Sequence, residues 1–158
     1  RSSEGEITGL FLQDSIPKGL TPVETVRRIK EQGGLVSLPH PFDRFRRGVI
    51  SPTGIADIIT HVDIVEVFNS RNNLQADNRK AHEFASQNKL LMSGVSDAHT
   101  TMELGRTYVE MPEFDGTAEG FKYALSHGEI SGRGMTPLIH VLTTFTKIKK
   151  RIKKRFMG

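Results

Sequence analysis

The chain has 158 residues, a net charge of +4, no cysteine and an ordinary share of apolar and charged residues, which suits one globular domain with a real core. The lack of cysteine excludes disulfides and thiolate-held metals; no apolar run approaches the roughly 18 residues needed to cross a bilayer and no signal-peptide pattern opens the chain, so a cytoplasmic location is the expectation. The charge is uneven: Lys147, Lys149, Lys150, Arg151, Lys153, Lys154 and Arg155 supply seven positive charges with no acid after Lys147, and without them the rest of the chain stands at −3.

Gly5 to Leu12 reads as a first strand, built from β-branched and aromatic residues between glycines. Thr21-Pro22-x-Glu24 then signals a helix start, with Thr as N-cap, Pro in the first turn and Glu at the capping-box position. Val23, Val26 and Ile29 recur at helical spacing, and Gly33-Gly34 stop the helix. The next apolar run, Leu35 to Leu38, leads into Pro39-His40-Pro41, where the flanking prolines restrict the backbone and hold the imidazole in a fixed direction. This is a β-α-β unit, the repeat of an α/β fold. Arg44, Arg46 and Arg47 follow in a loop with aromatic spacers, suited to catching a phosphate through charge-assisted bonds; a solvated basic loop is the alternative.

Ser51-Pro52 begins a helix through Ile55, Ile58 and Ile59, and Val62 to Phe68 is the next strand. Glu66 lies inside it, and a carboxylate in a buried strand must be paired, by an Arg or by a metal-binding histidine, with direct ligation as the alternative. Gln75 to Asn88 reads as a helix with Ala76, Ala81, Phe84 and Ala85 inward. Leu90-Leu91-Met92 is a short buried strand that runs into Gly94-Val95-Ser96-Asp97-Ala98-His99. Residues two apart at a strand end point the same way, so Asp97 and His99 offer an oxygen and a nitrogen to one point. Such a donor set suits zinc, manganese or iron(II); a helix-capping Asp beside a hydrogen-bonded His is the alternative. His40 extends the pattern, since both runs end in ligand-capable residues, as sites at the C-terminal edges of parallel strands do; a structural His is the alternative. If His40, Asp97 and His99 are ligands, they must converge.

Leu104 to Met111 reads as a strand and Thr117 to Ser126 as a helix ended by His127-Gly128, with His127 placed to suit the helix dipole. His61, His82 and His140 have ordinary explanations on helix ends and faces, and Arg133 is a second candidate phosphate contact. From Pro137, Leu138, Val141, Leu142, Phe145, Ile148, Ile152 and Phe156 form one stripe of an amphipathic helix whose later turns are basic. It is either an appendage for anionic lipid or nucleic acid or a closing helix with a solvated lysine-rich end.

With HPFD at 40–43 and SDAH at 96–99, preceded by GEITGLFL at 5–12 and separated by VEVFNSR at 65–71, the sequence resembles the polymerase and histidinol phosphatase (PHP) superfamily of metal-dependent phosphoesterases. The resemblance implies an α/β fold: a partial, distorted (β/α)7 barrel of PHP type over residues 1–135, with parallel strands and flanking helices, followed by the basic amphipathic helix at 136–158. It implies divalent metal ions (zinc, manganese or iron) held by His40, Asp97 and His99. Glu6, at a position where family members often carry a metal-binding His, joins them by resemblance, its alternative being a solvated edge carboxylate. Family members open with a His-x-His motif and further ligands that have no counterpart here, so the chain is expected to be the C-terminal part of a PHP protein, with weak metal binding and little turnover by itself. The implied substrate is a phosphorylated small molecule or a nucleic acid, and exposed sheet edges imply self-association. The rival expectation is a non-catalytic interaction module whose basic C-terminal helix binds nucleic acid or an anionic membrane.

Overall fold

The computed structural model describes residues 1–72 and 74–132. The basic helix expected at 136–158, Arg133 and His140 lie outside the described residues. Within them a four-stranded sheet of order β1-β2-β3-β4, made of β1 (Thr8–Leu10), β2 (Leu35–Leu38), β3 (Ile64–Asn69) and β4 (Leu91–Val95), sits beside a two-stranded sheet of β5 (Thr107–Glu110) and β6 (Glu129–Gly132). Four helices, α1 (Pro22–Glu31), α2 (Pro52–Ile58), α3 (Gln75–Gln87) and α4 (Ala118–Ser126), connect these strands among the described residues. No helix among the described residues is long and apolar enough to cross a membrane.

The helix starts follow from local chemistry. Thr21 Oγ1, Ser51 Oγ and Thr117 Oγ1 each accept from the backbone N–H three residues on, and Pro22 and Pro52 stand in the first turns, filling the donors that a helix N-terminus leaves open. The capping box is half formed: Glu24 turns to Arg27 and Arg28 instead of reaching back to Thr21. β2, β3 and β4 run parallel, joined by α2 and α3 as crossovers. Alternation then sorts the side chains. Val36, Leu38, Val65 and Val67 join Val26, Ile29, Ile55, Ile58, Ala81 and Ala85 in the main core, while Leu35 and Ile64 face the other way, toward Leu125 of α4. Asp63 fastens the start of β2 by accepting from Val36 N at 2.7 Å and pairing with Lys30.

Three expectations change. The first strand is only three residues long, because Phe11, in the left-handed region (φ 59°), ends it, and it pairs antiparallel with β2. The strand expected at 104–111 does not extend the parallel sheet; β5 instead pairs antiparallel with β6, a strand too polar and glycine-flanked to stand out in the sequence. On α3, Ala76 is exposed and Asp77, only 1% exposed, takes the inward position, which it can occupy because Arg44 neutralises it. What stands is a mixed α/β fold with parallel strands and flanking helices.

Candidate functional site

The antiparallel edge strand carries a consequence for the site. Register pairs Thr8 with Ser37 and Leu10 with Leu35, so the residues ahead of β1 lie beside those following β2. Glu6 thereby reaches His40, with Oε2 at 3.2 Å from Nε2. Glu6 thus meets the ring at Nε2, and the other ring nitrogen is Nδ1. That Nδ1 is buried and has no hydrogen-bond partner, in a residue only 4% exposed. Burial and the Arg46 guanidinium hold His40 below the usual histidine pKa, against the pull of Glu6, Asp97 and Asp43, so the ring is neutral at pH 7.

Asp97 follows β4. Its carboxylate pairs with Arg46, and Asn69 Nδ2 lies 3.4 Å from the same oxygen, Oδ2. Arg46 Nε is also 3.5 Å from Asp43 Oδ2. Beneath them Glu66 of β3 accepts from His40 N at 3.2 Å and Asn69 Nδ2 at 2.7 Å. Burial, with the Asp97 charge adding to it, pushes the Glu66 carboxyl up to about 7 against these hydrogen bonds and Arg46. Glu66 therefore does meet the His40 segment, through the backbone and not the ring. β3 bulges between Glu66 and Phe68, the irregularity that often re-aims side chains beside a site.

His40 (φ 34°) and Asp97 (φ 49°) both occupy the left-handed region. A non-glycine residue there costs on the order of 1–3 kcal/mol and persists only where its surroundings enforce it. His40 is doubly unusual, since a residue ahead of a proline normally sits in the extended region. The same turn at Asp97 undoes the simple alternation expected of Asp97 and His99. His99 is exposed, and its Nδ1 donates to the Asp97 carbonyl at 2.8 Å. The segment is pinned by Glu103, fully buried, which accepts from His99 N at 3.0 Å, Thr100 Oγ1 at 2.9 Å and Arg71 at 2.6 Å. Burial pushes the Glu103 carboxyl up, but these three bonds outweigh it and hold it below the usual range.

The structure thus brings Glu6, His40, Asp97 and Arg46 into one charged cluster with Asp43, Glu66 and Asn69. It does not bring in Arg44, which pairs with Asp77 at 2.9 Å, or Arg47, which is exposed. Among the described residues no three His, Asp or Glu side chains close into a ready metal cage. The donors nonetheless fit a divalent cation: a neutral histidine with a buried, unpartnered nitrogen beside carboxylates is the oxygen and nitrogen set that zinc, manganese and iron(II) accept. Sequence reasoning gave no role to Asp43, Asn69, Arg71 or Glu103. Asp43 and Asn69 stood inside quoted motifs, and Thr100-x-x-Glu103 is a local capping pattern; the pairing of Arg71 with Glu103 spans 32 positions and left no local signal.

Residues 75–130 match the PHP-associated family. An uncharacterized protein of Methanocaldococcus jannaschii is 38% identical over 117 residues, covering 72% of this chain and 49% of that protein, so the chain spans about half of this relative's length. Among solved structures, PsfC from Pseudomonas syringae superposes with a TM-score of 0.63 at 17% identity, over 93% of this chain and 62% of PsfC. A two-domain protein from Bacteroides vulgatus, containing a predicted PHP-like metal-dependent phosphoesterase, superposes with a TM-score of 0.57 at 20% identity, over 80% of this chain and 40% of that one. Residues 75–130 thus match the PHP-associated family, and the fold is similar to that of the PHP-like protein from Bacteroides vulgatus.

Proposed function

We propose that the protein to which this chain belongs is a PHP-type metal-dependent phosphoesterase, the described residues supplying one side of a distorted (β/α)7 barrel and part of its site. The observation that carries this reading is His40, whose Nδ1 is buried without a partner, whose Nε2 lies 3.2 Å from Glu6 and on which the charges of Asp43 and Asp97 act, with the backbone strained at both His40 and Asp97. His40, Asp97, His99 and Glu6 would hold the metal. A bound divalent ion supplies an activated water and stabilises developing charge on oxygen.

The chain's own residues do the rest. Arg46 carries the fixed positive charge that orients a phosphate oxygen; Arg47, exposed on the same loop, adds long-range attraction for an anionic substrate, while the charge of Arg44 is paired with Asp77. Glu66, with its carboxyl near 7, is the group able to hold or release a proton at neutral pH. The Arg71–Glu103 pair keeps the 97–100 segment in register. The substrate is a phosphate ester of a small molecule or of a nucleic-acid end, and the working compartment is the cytoplasm.

Residues 1–158 by themselves are expected to bind metal weakly and turn over little. In a thermal-shift titration, Mn²⁺ at about 100 times its Kd raises stability by about 2.7 kcal/mol, EDTA reverses the shift, and His40→Ala and Asp97→Ala each abolish it. A Mn²⁺ shift that survives both substitutions refutes the assignment of these ligands. Robust hydrolysis of p-nitrophenyl phosphate by residues 1–158 with Mn²⁺ would show that no further ligands are needed.

A further inference from the structure

Of the three arginines on the 41–50 loop, Arg46 alone is drawn into the acidic cluster. Its side chain is 24% exposed, against 60% for Arg44. It pairs with Asp97 and approaches Asp43, and the charge of Glu66 also acts on it. The charges of Glu6, Asp43 and Asp97 act on His40 as well. The cluster thus has acidic side chains on Glu6, Asp43, Glu66 and Asp97, a buried histidine nitrogen with no partner, and the Arg46 guanidinium on Asp97 and near Asp43.

Resting on the metal-site reading above, we propose that Arg46 and a divalent cation compete for Asp97: the guanidinium is the counter-ion that holds the cluster together before metal enters, and metal displaces it toward the mouth of the site. Two cations on one carboxylate repel each other in a partly buried, low-dielectric place, so the Arg46–Asp97 bond and metal ligation by Asp97 oppose one another. The coupling is reciprocal, which means that metal loosens Arg46 as much as Arg46 weakens metal binding. Displacement has a use. The freed guanidinium stands on the loop beside the metal, available to a phosphate oxygen only when the metal is in place, so anion capture follows metal loading.

The test is Mn²⁺ titration of residues 1–158 by isothermal calorimetry, comparing the unmodified chain with Arg46→Met, Arg46→Lys and the pair Asp97→Asn and Asp97→Asn/Arg46→Met. Arg46→Met, which keeps the apolar stem and removes the charge, is expected to bind Mn²⁺ about tenfold more tightly or better, within the usual span of coupled sites. Arg46→Lys should fall between Met and Arg, and the gain from removing Arg46 should vanish in the Asp97→Asn background. Equal or weaker Mn²⁺ binding by Arg46→Met with an unchanged circular dichroism spectrum overturns the competition, since it would mean that Asp97 bridges both cations; the metal-site reading then stands. No Mn²⁺ binding by either protein overturns both. Should Arg46→Met fail to fold, the Arg46 Nε–Hε resonance of the unmodified chain, followed during Zn²⁺ addition, decides: it moves if Arg46 is displaced, and an unmoved resonance at saturating Zn²⁺ overturns the proposal.

Discussion

Glu66→Gln isolates the cost of keeping a carboxyl beneath the site. The Glu66 pKa rises from 4.5 to about 7 in the fold, chiefly through burial, so between these values the folded chain binds a proton that the unfolded chain has released. With more protons on the native state, stability falls as pH rises through this window. A shift of this size corresponds to about 3 kcal/mol in total at 1.36 kcal/mol per pH unit. Because the window is entered near its lower edge at pH 5 and left by pH 8, the loss between them is roughly 2 to 3 kcal/mol. His40 acts in the opposite sense, since its lowered pKa makes stability rise with pH up to the unfolded histidine value. That contribution is common to the unmodified chain and the Gln variant, so the difference between them isolates Glu66. The assay is urea unfolding with EDTA present at several pH values, and the expected result is that Glu66→Gln gains roughly 2 to 3 kcal/mol on the unmodified chain between about pH 5 and 8. Two stability curves that run parallel within about 0.5 kcal/mol across that range would refute the reasoning, because Glu66 would then titrate alike in both states.

Arg71→Met leaves the Glu103 carboxylate, fully buried, with the His99 N–H and the Thr100 hydroxyl alone, and breaking such a pair costs about 3 kcal/mol, a fall of roughly 6 to 12 °C in Tm for a chain of this size; a fall under about 2 °C in a thermal melt would exclude the pinning role. The same carboxyl is held below its usual range, so its contribution is present above the unfolded value near 4.5 and is lost as pH falls through the folded value; acid unfolding should begin at higher pH in Arg71→Met. Gly94→Ala places a Cβ 2.5 Å from Ile130 Cγ2 and 3.0 Å from Thr107 Cγ2, which should cost about 1 to 3 kcal/mol by overpacking and push β6 off β4; urea midpoints unchanged from the parent would show that the two sheets part freely. Asp77→Ala removes the buried partner of a largely exposed Arg44, so its cost should come mainly from lost hydrogen bonds, about 1 to 2 kcal/mol by urea unfolding, with Mn²⁺ binding unaltered.

Local chemistry made much of this chain legible. Thr21-Pro22, Ser51-Pro52 and Thr117 start helices because a side-chain oxygen three residues ahead of an open N–H needs nothing from the rest of the fold. The apolar runs at 35–38, 62–68 and 90–92 became β2, β3 and β4 because short apolar runs bounded by polar and turn residues favour strands. That His40 and Asp97 stand at the ends of such runs was legible for the same reason. The direction of β1 was not, since a three-residue strand has the same alternation read either way; only its pairing with β2 decided it, and with it the approach of Glu6 to His40. Asp77 carried no signal in the sequence, and its inward place depends on Arg44, which meets it from 33 positions away. Among three arginines equal in the sequence, one was chosen for Asp97, 51 residues distant, by a loop path that no window of sequence contains. Burial, charge pairing and backbone strain depend on which distant segments share a place, so the sequence by itself determined the elements and the chemistry each could offer, while the tertiary structure decided which groups would meet.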